Sequence, residues 1–313
     1  MKGKDLLSIS DLTGDDIYSL ISDASDIKAR GWLSLLDRKV LALLFEKPSL
    51  RTRVSFEVAM RQLAGQSIYL SPAEVGLGER ESIPDVARVL SSYADVIAAR
   101  TFSHQTLEIL SNYSRVPVIN ALSDSEHPCQ ALADFLTIYE RKRKLSGLTL
   151  AFVGDGNNVA HSLLLAASLT GMNFRIASPD GYSVQGRILH LAQDYARASG
   201  AEISCSEDPS LAVNGADIVY TDVWTSMGQE AEAEERCRVF GNYQMNSKLL
   251  SFAKEDAILM HPLPAHRGEE VSEDILDSPQ SVIFDQAENR MHLQKALLVQ
   301  MLGGLDLPLA GYR

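Results

Sequence analysis

Apolar and polar positions alternate between two periods along the chain. Continuous apolar runs of three to six residues recur, separated by stretches whose apolar residues fall three and four apart. Val40 to Phe45 is an unbroken apolar run, as expected of a strand buried on both faces of a parallel sheet. Val54, Phe56, Ala59, Met60 and Leu63 follow at helical spacing and stop at Gly65. Ser67 to Leu70, Val96 to Ala99 and Val116 to Ile119 read as further strands. Glu81 to Ala94 reads as a helix with Pro84 in its first turn, where a missing N–H costs nothing. Near the start, Thr13 with Asp16 three residues on marks a helix N-terminus. Ala131 to Arg143 is a helix ending in basic residues, which suit the negative end of its dipole.

The polar stretch Lys142-Arg143-Lys144-Leu145-Ser146-Gly147 interrupts the alternation, which then restarts. Leu148 to Val153, Phe174 to Ala177, Ile218 to Thr221, Ile258 to Met260 and Val282 to Phe284 read as strands. Val159 to Leu169, Gln185 to Ala198 and Ala287 to Leu302 read as helices. Strands alternating with helices predict two Rossmann-like α/β domains with parallel sheets, residues 1–146 and 147–286. The last segment, 287–313, is expected to pack back on the first domain. Ligands of such folds sit beyond the carboxyl ends of the strands.

Composition narrows the chemistry. At 313 residues the length suits two domains. The net charge of −12 and the lack of a basic run argue against nucleic acid, yet a locally positive pocket for a small anion remains allowed. Cys129, Cys205 and Cys237 form no CxxC pair, which fits a reducing, cytoplasmic setting. No signal-peptide core or 18-residue apolar stretch is present, so no membrane association is expected.

Several segments carry candidate chemistry, most of them at strand ends. Ser49-Leu50-Arg51-Thr52-Arg53 joins a buried strand to a helix start, where free N–H groups and the helix dipole favour an anion. Ser49 and Thr52 add hydroxyls. Arg51 and Arg53 are two apart and point in different directions, so one can fork onto a phosphate; solvated arginines at a helix start are the plain alternative. Arg100 to His104 and Asn120 also stand at strand ends. His127 and Gln130, at the head of a helix, share one face and with Arg100 can surround a polar carbonyl, whose oxygen they would stabilise as it gains charge.

In the second half, Gly154-Asp155-Gly156-Asn157-Asn158 looks like a dinucleotide loop, but Val159 stands where the third glycine belongs. Asp222 leaves the Ile218 strand and can hold an ammonium or simply cap a turn. In His261-Pro262-Leu263-Pro264 the prolines leave the carbonyls of Pro262 and Leu263 free to accept from an NH2 group, and Leu263–Pro264 is a candidate cis bond. A rigid loop is the other reading. His261 and His266 have no clear third partner for a metal. Arg290, near the start of the last helix, can reach a phosphate or lie exposed.

Taken together, these motifs resemble the aspartate/ornithine carbamoyltransferase family over nearly the whole chain and in the family's order. The resemblance implies an active site in the cleft between the domains and no metal or organic cofactor. It implies that carbamoyl phosphate is held by Ser49, Leu50, Arg51, Thr52, Arg100, His127, Gln130, Pro262, Leu263 and Arg290, with Arg100, His127 and Gln130 catalytic. The Asp222 to Gly228 segment looks like the ornithine-type loop, because aspartate-specific relatives carry an arginine there and none lies between Asp222 and Glu235. By resemblance Asn158, Asp222, Ser226 and Met227 hold ornithine. Arginine synthesis, a homotrimer or multiple of trimers, and a cytoplasmic location are likewise implied.

Three departures stand out. Leu50 replaces the usual Thr at a position that supplies a backbone N–H. Gly76 stands where relatives often reach a neighbouring subunit with Gln or His. Pro262 replaces the Cys usual in ornithine enzymes, so no thiol is available there. Aspartate, putrescine and N-acylornithine remain alternative acceptors, and a nicotinamide-linked dehydrogenase and an inactive regulatory relative remain alternative classes.

Overall fold

The computed structural model describes residues 1–303, apart from 79, 227 and 229. The chain divides into two compact units, Met1–Leu136 with Arg290–Arg313, and Thr137–Asn289. It crosses from the first to the second within the Pro128–Lys142 helix and returns within the Ile283–Leu302 helix.

Unit one holds β1 (Val40–Phe45), β2 (Gln66–Leu70), β3 (Val96–Arg100) and β4 (Val118–Leu122). All pair in parallel, in the order β2-β1-β3-β4. β3 is buried at every position, and it is apolar up to its last residue, Arg100. The first strand lies inside the sheet, so the connection after β1 leads to one side and a later one to the other. The crevice this leaves is at the carboxyl ends of β1 and β3, where ligands of open α/β sheets bind. The register puts Phe45 beside Arg100 there.

Unit two repeats the plan with β5 (Thr149–Val153), β6 (Asn173–Ala177), β7 (Ile203–Ser206), β8 (Ile218–Thr221) and β9 (Ile258–Met260). The parallel order is β7-β6-β5-β8-β9. Its switch point lies between β5 and β8, where Val153 pairs with Thr221. Fold class and parallel pairing are therefore as the periodicity implies.

Several elements differ from the sequence reading. Val282–Phe284 is not a strand. Only Ser281 bridges to Leu259, and the Ile283–Leu302 helix starts at once. A three-residue apolar run fits either period. Val282 and Ile283 are buried while Phe284 is exposed, so the run forms a helix start with one outward side chain. β4 begins two residues later than Val116, because the Ser114 hydroxyl donates to the Val116 carbonyl and accepts from its N–H, closing a turn there. The basic end of the Pro128–Lys142 helix stops at Arg143, whose φ of 61° leaves the helical region.

Candidate active site

The segment after β1 turns directly into the Leu50–Gln62 helix. Ser49 is its N-cap, with Oγ accepting from the Thr52 N–H at 3.3 Å. Leu50 is exposed, so it contributes backbone rather than side chain at the helix start. The two arginines separate as their spacing suggested. Arg53 pairs with Glu57 at 2.9 Å and lies 3.8 Å from the centre of the Tyr69 ring, on the outer face. Arg51 is turned inward. Its Nε is buried without a hydrogen bond among the described residues, and burial pushes its pKa down.

Arg100 ends β3 and is buried. Its pKa is pushed down to about 10, by burial first and then by Arg290 and Arg51. His127 precedes the Pro128–Lys142 helix and is also buried. Burial, then Arg290 and Arg100, hold its pKa well below the usual imidazole range, so it is neutral and donates from one nitrogen only. Arg290 Nη2 donates to Thr52 Oγ1 at 2.6 Å, which tethers the last helix to the start of the Leu50–Gln62 helix. Thus Arg51, Arg100, His127, Arg290 and Thr52 converge at the carboxyl end of the first sheet. Gln130 donates to Asp134 at 2.8 Å, leaving Oε1 buried without a hydrogen bond among the described residues, an acceptor suited to an NH2 group.

Other residues that stood at strand ends are structural. Asn120 lies inside β4 and donates to the Leu7 carbonyl at 2.8 Å. His104 contacts the Ser123 hydroxyl at 2.9 Å. Cys129 is buried beside the Asn120 carbonyl, and burial pushes its thiol up to about 12, far from a reactive thiolate.

In unit two, the loops after β5 and β8 meet at the switch point. Asn157 caps the Asn158–Thr170 helix through the Val159 and Ala160 N–H groups, and its Nδ2 donates to Asp222 Oδ2 at 2.8 Å. Asp222 Oδ1 accepts from the Val223 N–H at 2.8 Å. Burial raises the Asp222 pKa, while His261 and Asn157 pull it back. Asn158, the first residue of that helix, and Ser226, in the loop after β8, are partly exposed. Met227 lies outside the described residues.

The loop after β9 is held by His261. Its N–H donates to Gln286 Oε1 at 2.9 Å. Its Nδ1 accepts from the Leu263 N–H at 2.9 Å, so Nε2 carries the proton and donates to Glu270 Oε1 at 3.0 Å. Leu263 sits at φ 57° and the Leu263–Pro264 peptide is cis, as the flanking prolines suggested. The backbone of Pro262 and Leu263 is thereby fixed while the Leu263 N–H is already committed.

Sequence reasoning missed Asn157 as the partner of Asp222. It also missed Arg236, whose Nη1 donates to Asp155 at 2.8 Å and to the Trp224 carbonyl at 2.9 Å. Asp155 is separated from Arg236 by 81 positions, and no local pattern links them.

Residues 4–140 match the family model described as aspartate/ornithine carbamoyltransferase, carbamoyl-P binding domain. Residues 146–301 match its counterpart, the Asp/Orn binding domain. The chain belongs to the aspartate/ornithine carbamoyltransferase family. Among carbamoyltransferases of this family, the anabolic ornithine carbamoyltransferase of Pyrococcus furiosus is 49% identical over 309 residues, covering 97% of this chain and 98% of that protein. The ornithine carbamoyltransferase of Anoxybacillus flavithermus is 52% identical over 306 residues, covering 96% and 98%. A solved structure of ornithine carbamoyltransferase from Pyrococcus furiosus superimposes with a TM-score of 0.94 at 49% identity, covering 97% of this chain and 99% of that one.

Proposed function

We propose that this chain transfers the carbamoyl group of carbamoyl phosphate to the δ-amine of L-ornithine, giving citrulline and phosphate in arginine biosynthesis. The observation that carries the donor half is the convergence of Arg51, Arg100, Arg290 and His127 around a helix N-terminus, where burial and then the neighbouring arginines lower the pKa of Arg100 and of His127. Such a group is costly unless a dianion neutralises it. The acceptor half is supported by relatives named ornithine carbamoyltransferase at 49–52% identity and by the lack of an arginine between Asp222 and Glu235.

In this reading Ser49, Leu50, Arg51, Thr52 and Arg290 take the phosphate. The carbonyls of Pro262 and Leu263 and Gln130 Oε1 take the carbamoyl NH2. Arg100 and His127 donate to the carbonyl oxygen. Asn158, Asp222, Ser226 and Met227 take the α-amino and α-carboxylate groups of ornithine. The neutral δ-amine attacks the carbonyl carbon, charge collects on the oxygen, the carbon–oxygen bond to the phosphate breaks, and the departing phosphate takes the proton that the attacking nitrogen sheds. An alkyl ammonium has a pKa of roughly 10.4, so a dry site that disfavours charge helps supply the amine. Positioning two substrates accounts for roughly 7–11 kcal/mol of the barrier. Each oxyanion donor adds ~2.7–4 kcal/mol. The residues 1–146 with 287–313 serve the donor and 147–286 the acceptor. A cytoplasmic homotrimer follows from the family resemblance.

The test is an acceptor panel with radiolabelled carbamoyl phosphate: ornithine, aspartate, putrescine and N-acetylornithine. Citrulline formation with ornithine as the preferred acceptor is expected, and a higher kcat/KM for any other amine overturns the assignment. Arg51→Ala is expected to abolish carbamoyl phosphate binding by calorimetry, and unchanged affinity would remove Arg51 from the site.

A further inference from the structure

The turn that follows the Pro262–Pro264 segment gathers three metal-ligating side chains. One ligand atom each from His266, Glu269 and Glu270 lies within 4.8 Å of the others. His266 Nδ1 stands 3.7 Å from Glu269 Oε2 and 3.8 Å from Glu270 Oε2. Ligand atoms around a tetrahedral ion with bonds of ~2.0–2.2 Å lie roughly 3.3–3.6 Å apart, so small side-chain movements complete the geometry.

The backbone is built to hold this arrangement. Gly268 sits at φ 93°, which allows the tight return from His266 to Glu269. The turn is closed by the Glu269 N–H to the His266 carbonyl at 3.0 Å and the Gly268 N–H to the Val271 carbonyl at 2.8 Å. Gln244 Nε2 clamps the Gly268 and Glu269 carbonyls at 2.9 Å each. Arg267, the one arginine in the turn, is drawn away into a two-pronged pair with Asp277 at 2.9 and 3.2 Å.

Glu270 supplies the observation that points to a ligand. It is fully buried. Its Oε1 is occupied by His261 Nε2 at 3.0 Å and the His266 N–H at 2.7 Å, the kind of outer-shell support that orients a coordinating carboxylate. Its Oε2 is also buried, accepts no hydrogen bond among the described residues, and faces His266. A buried carboxylate oxygen without a donor is costly, and a cation there removes the cost. His266 and Glu269 are about half exposed, which leaves an entry path from solvent.

We propose that His266, Glu269 and Glu270 form a binding site for one divalent transition-metal ion of the zinc class. One imidazole and two carboxylates is a donor set such ions accept, with solvent completing the shell. The ion joins Glu270 to the turn, and Glu270 joins His261 and thus Leu263. The site is separate from the anion-binding arginines and does not depend on the reaction proposed above.

The experiment is calorimetric titration of zinc chloride into the whole, chelator-treated protein, beside His266→Ala, Glu269→Gln and, as controls for thiol binding, Cys237→Ser and Cys205→Ser. One site per chain is expected in the parent and both thiol variants. Loss of a ligand is expected to weaken it on the order of 10–100-fold or more in His266→Ala and Glu269→Gln, with their thermal melts in the absence of zinc unchanged. Absence of binding to the parent overturns the site and leaves a plain ion pair between His266 and the two carboxylates. Binding that survives His266→Ala, or that is lost in Cys237→Ser alone, also overturns it.

Discussion

Gly156 is where the second loop is most tightly constrained, and Gly156→Ala tests why. A Cβ at this position would lie 2.3 Å from the Val184 nitrogen, 2.4 Å from the Ser183 carbonyl carbon and 2.8 Å from its oxygen. All three atoms are backbone, so no side chain can swing aside. Ordinary contact begins near 3.4 Å, and one segment must therefore move by about an ångström. That movement also stretches the Gly156 N–H bond to the Tyr182 carbonyl, now 2.8 Å. Overpacking of this kind costs ~1–3 kcal/mol, and the hydrogen bond is worth ~0.5–1.5 kcal/mol. Gly156 is not in the left-handed region, so alanine recovers ~0.4–1 kcal/mol through the unfolded chain. The net cost is about 0.5–4 kcal/mol. For a domain of this size, with Tm falling ~2–4 °C per kcal/mol, a thermal melt followed by circular dichroism should drop by roughly 1–16 °C. Gly186→Ala, where a Cβ meets nothing within 4 Å, is the matched control and should stay near the parent. A Gly156→Ala protein that melts with the parent would refute the packing argument. It would point instead to a ligand's close approach as the reason for glycine here.

Three further outcomes follow from the same geometry. The folded pKa of His127 is depressed, so its contribution to stability is present above the unfolded value near 6.5 and is lost as pH falls below it. His127→Gln should flatten the acid limb of stability, by at most about 1.4 kcal/mol per pH unit, and urea unfolding at pH 7 and 5 measures it; an unchanged slope contradicts the assignment. Arg236→Met strands the largely buried Asp155, whose carboxyl is pushed up by burial and pulled down by Arg236. The single change should cost ~3–5 kcal/mol, and adding Asp155→Asn should restore a large part; strict additivity in the double-mutant cycle argues against the pairing. Asn157→Ala should raise the KM for ornithine more than that for carbamoyl phosphate, and equal effects on both would separate Asn157 from the acceptor.

The buried strands were legible because burial on both faces leaves almost only apolar residues, as in β1 and in Leu150 to Val153 of β5. The edge strand β7 was not, since Ser204 and Cys205 are both exposed, one on each face, and break the apolar run. The His104–Tyr113 helix was not legible either, since only Thr106, Leu107 and Leu110 are buried and they are too few to mark a helical period. In the site, the loops were visible as strand-to-helix turns, but the division of labour within them was not. Arg51 and Arg53 are equivalent in sequence, and only Glu57 and Tyr69 draw one of them outward. The partnership of Asn157 and Asp222 depends on β5 and β8 being neighbours, although 65 positions separate them.

The clustered guanidiniums of Arg51, Arg100 and Arg290 also bear on how the molecule lasts between turnovers. Their mutual repulsion is carried by unit one itself, the fold that must stay intact for the next donor to land. An anion that settles among them acts as a reversible rivet. At a hundred times its dissociation constant it adds about 2.7 kcal/mol to that fold. Phosphate, the expected leaving group, has the charge to do the same. If the donor binds among these arginines as proposed, that half of the chain is sturdiest while occupied, and its resistance to heat and proteolysis is expected to rise with the phosphate level around it.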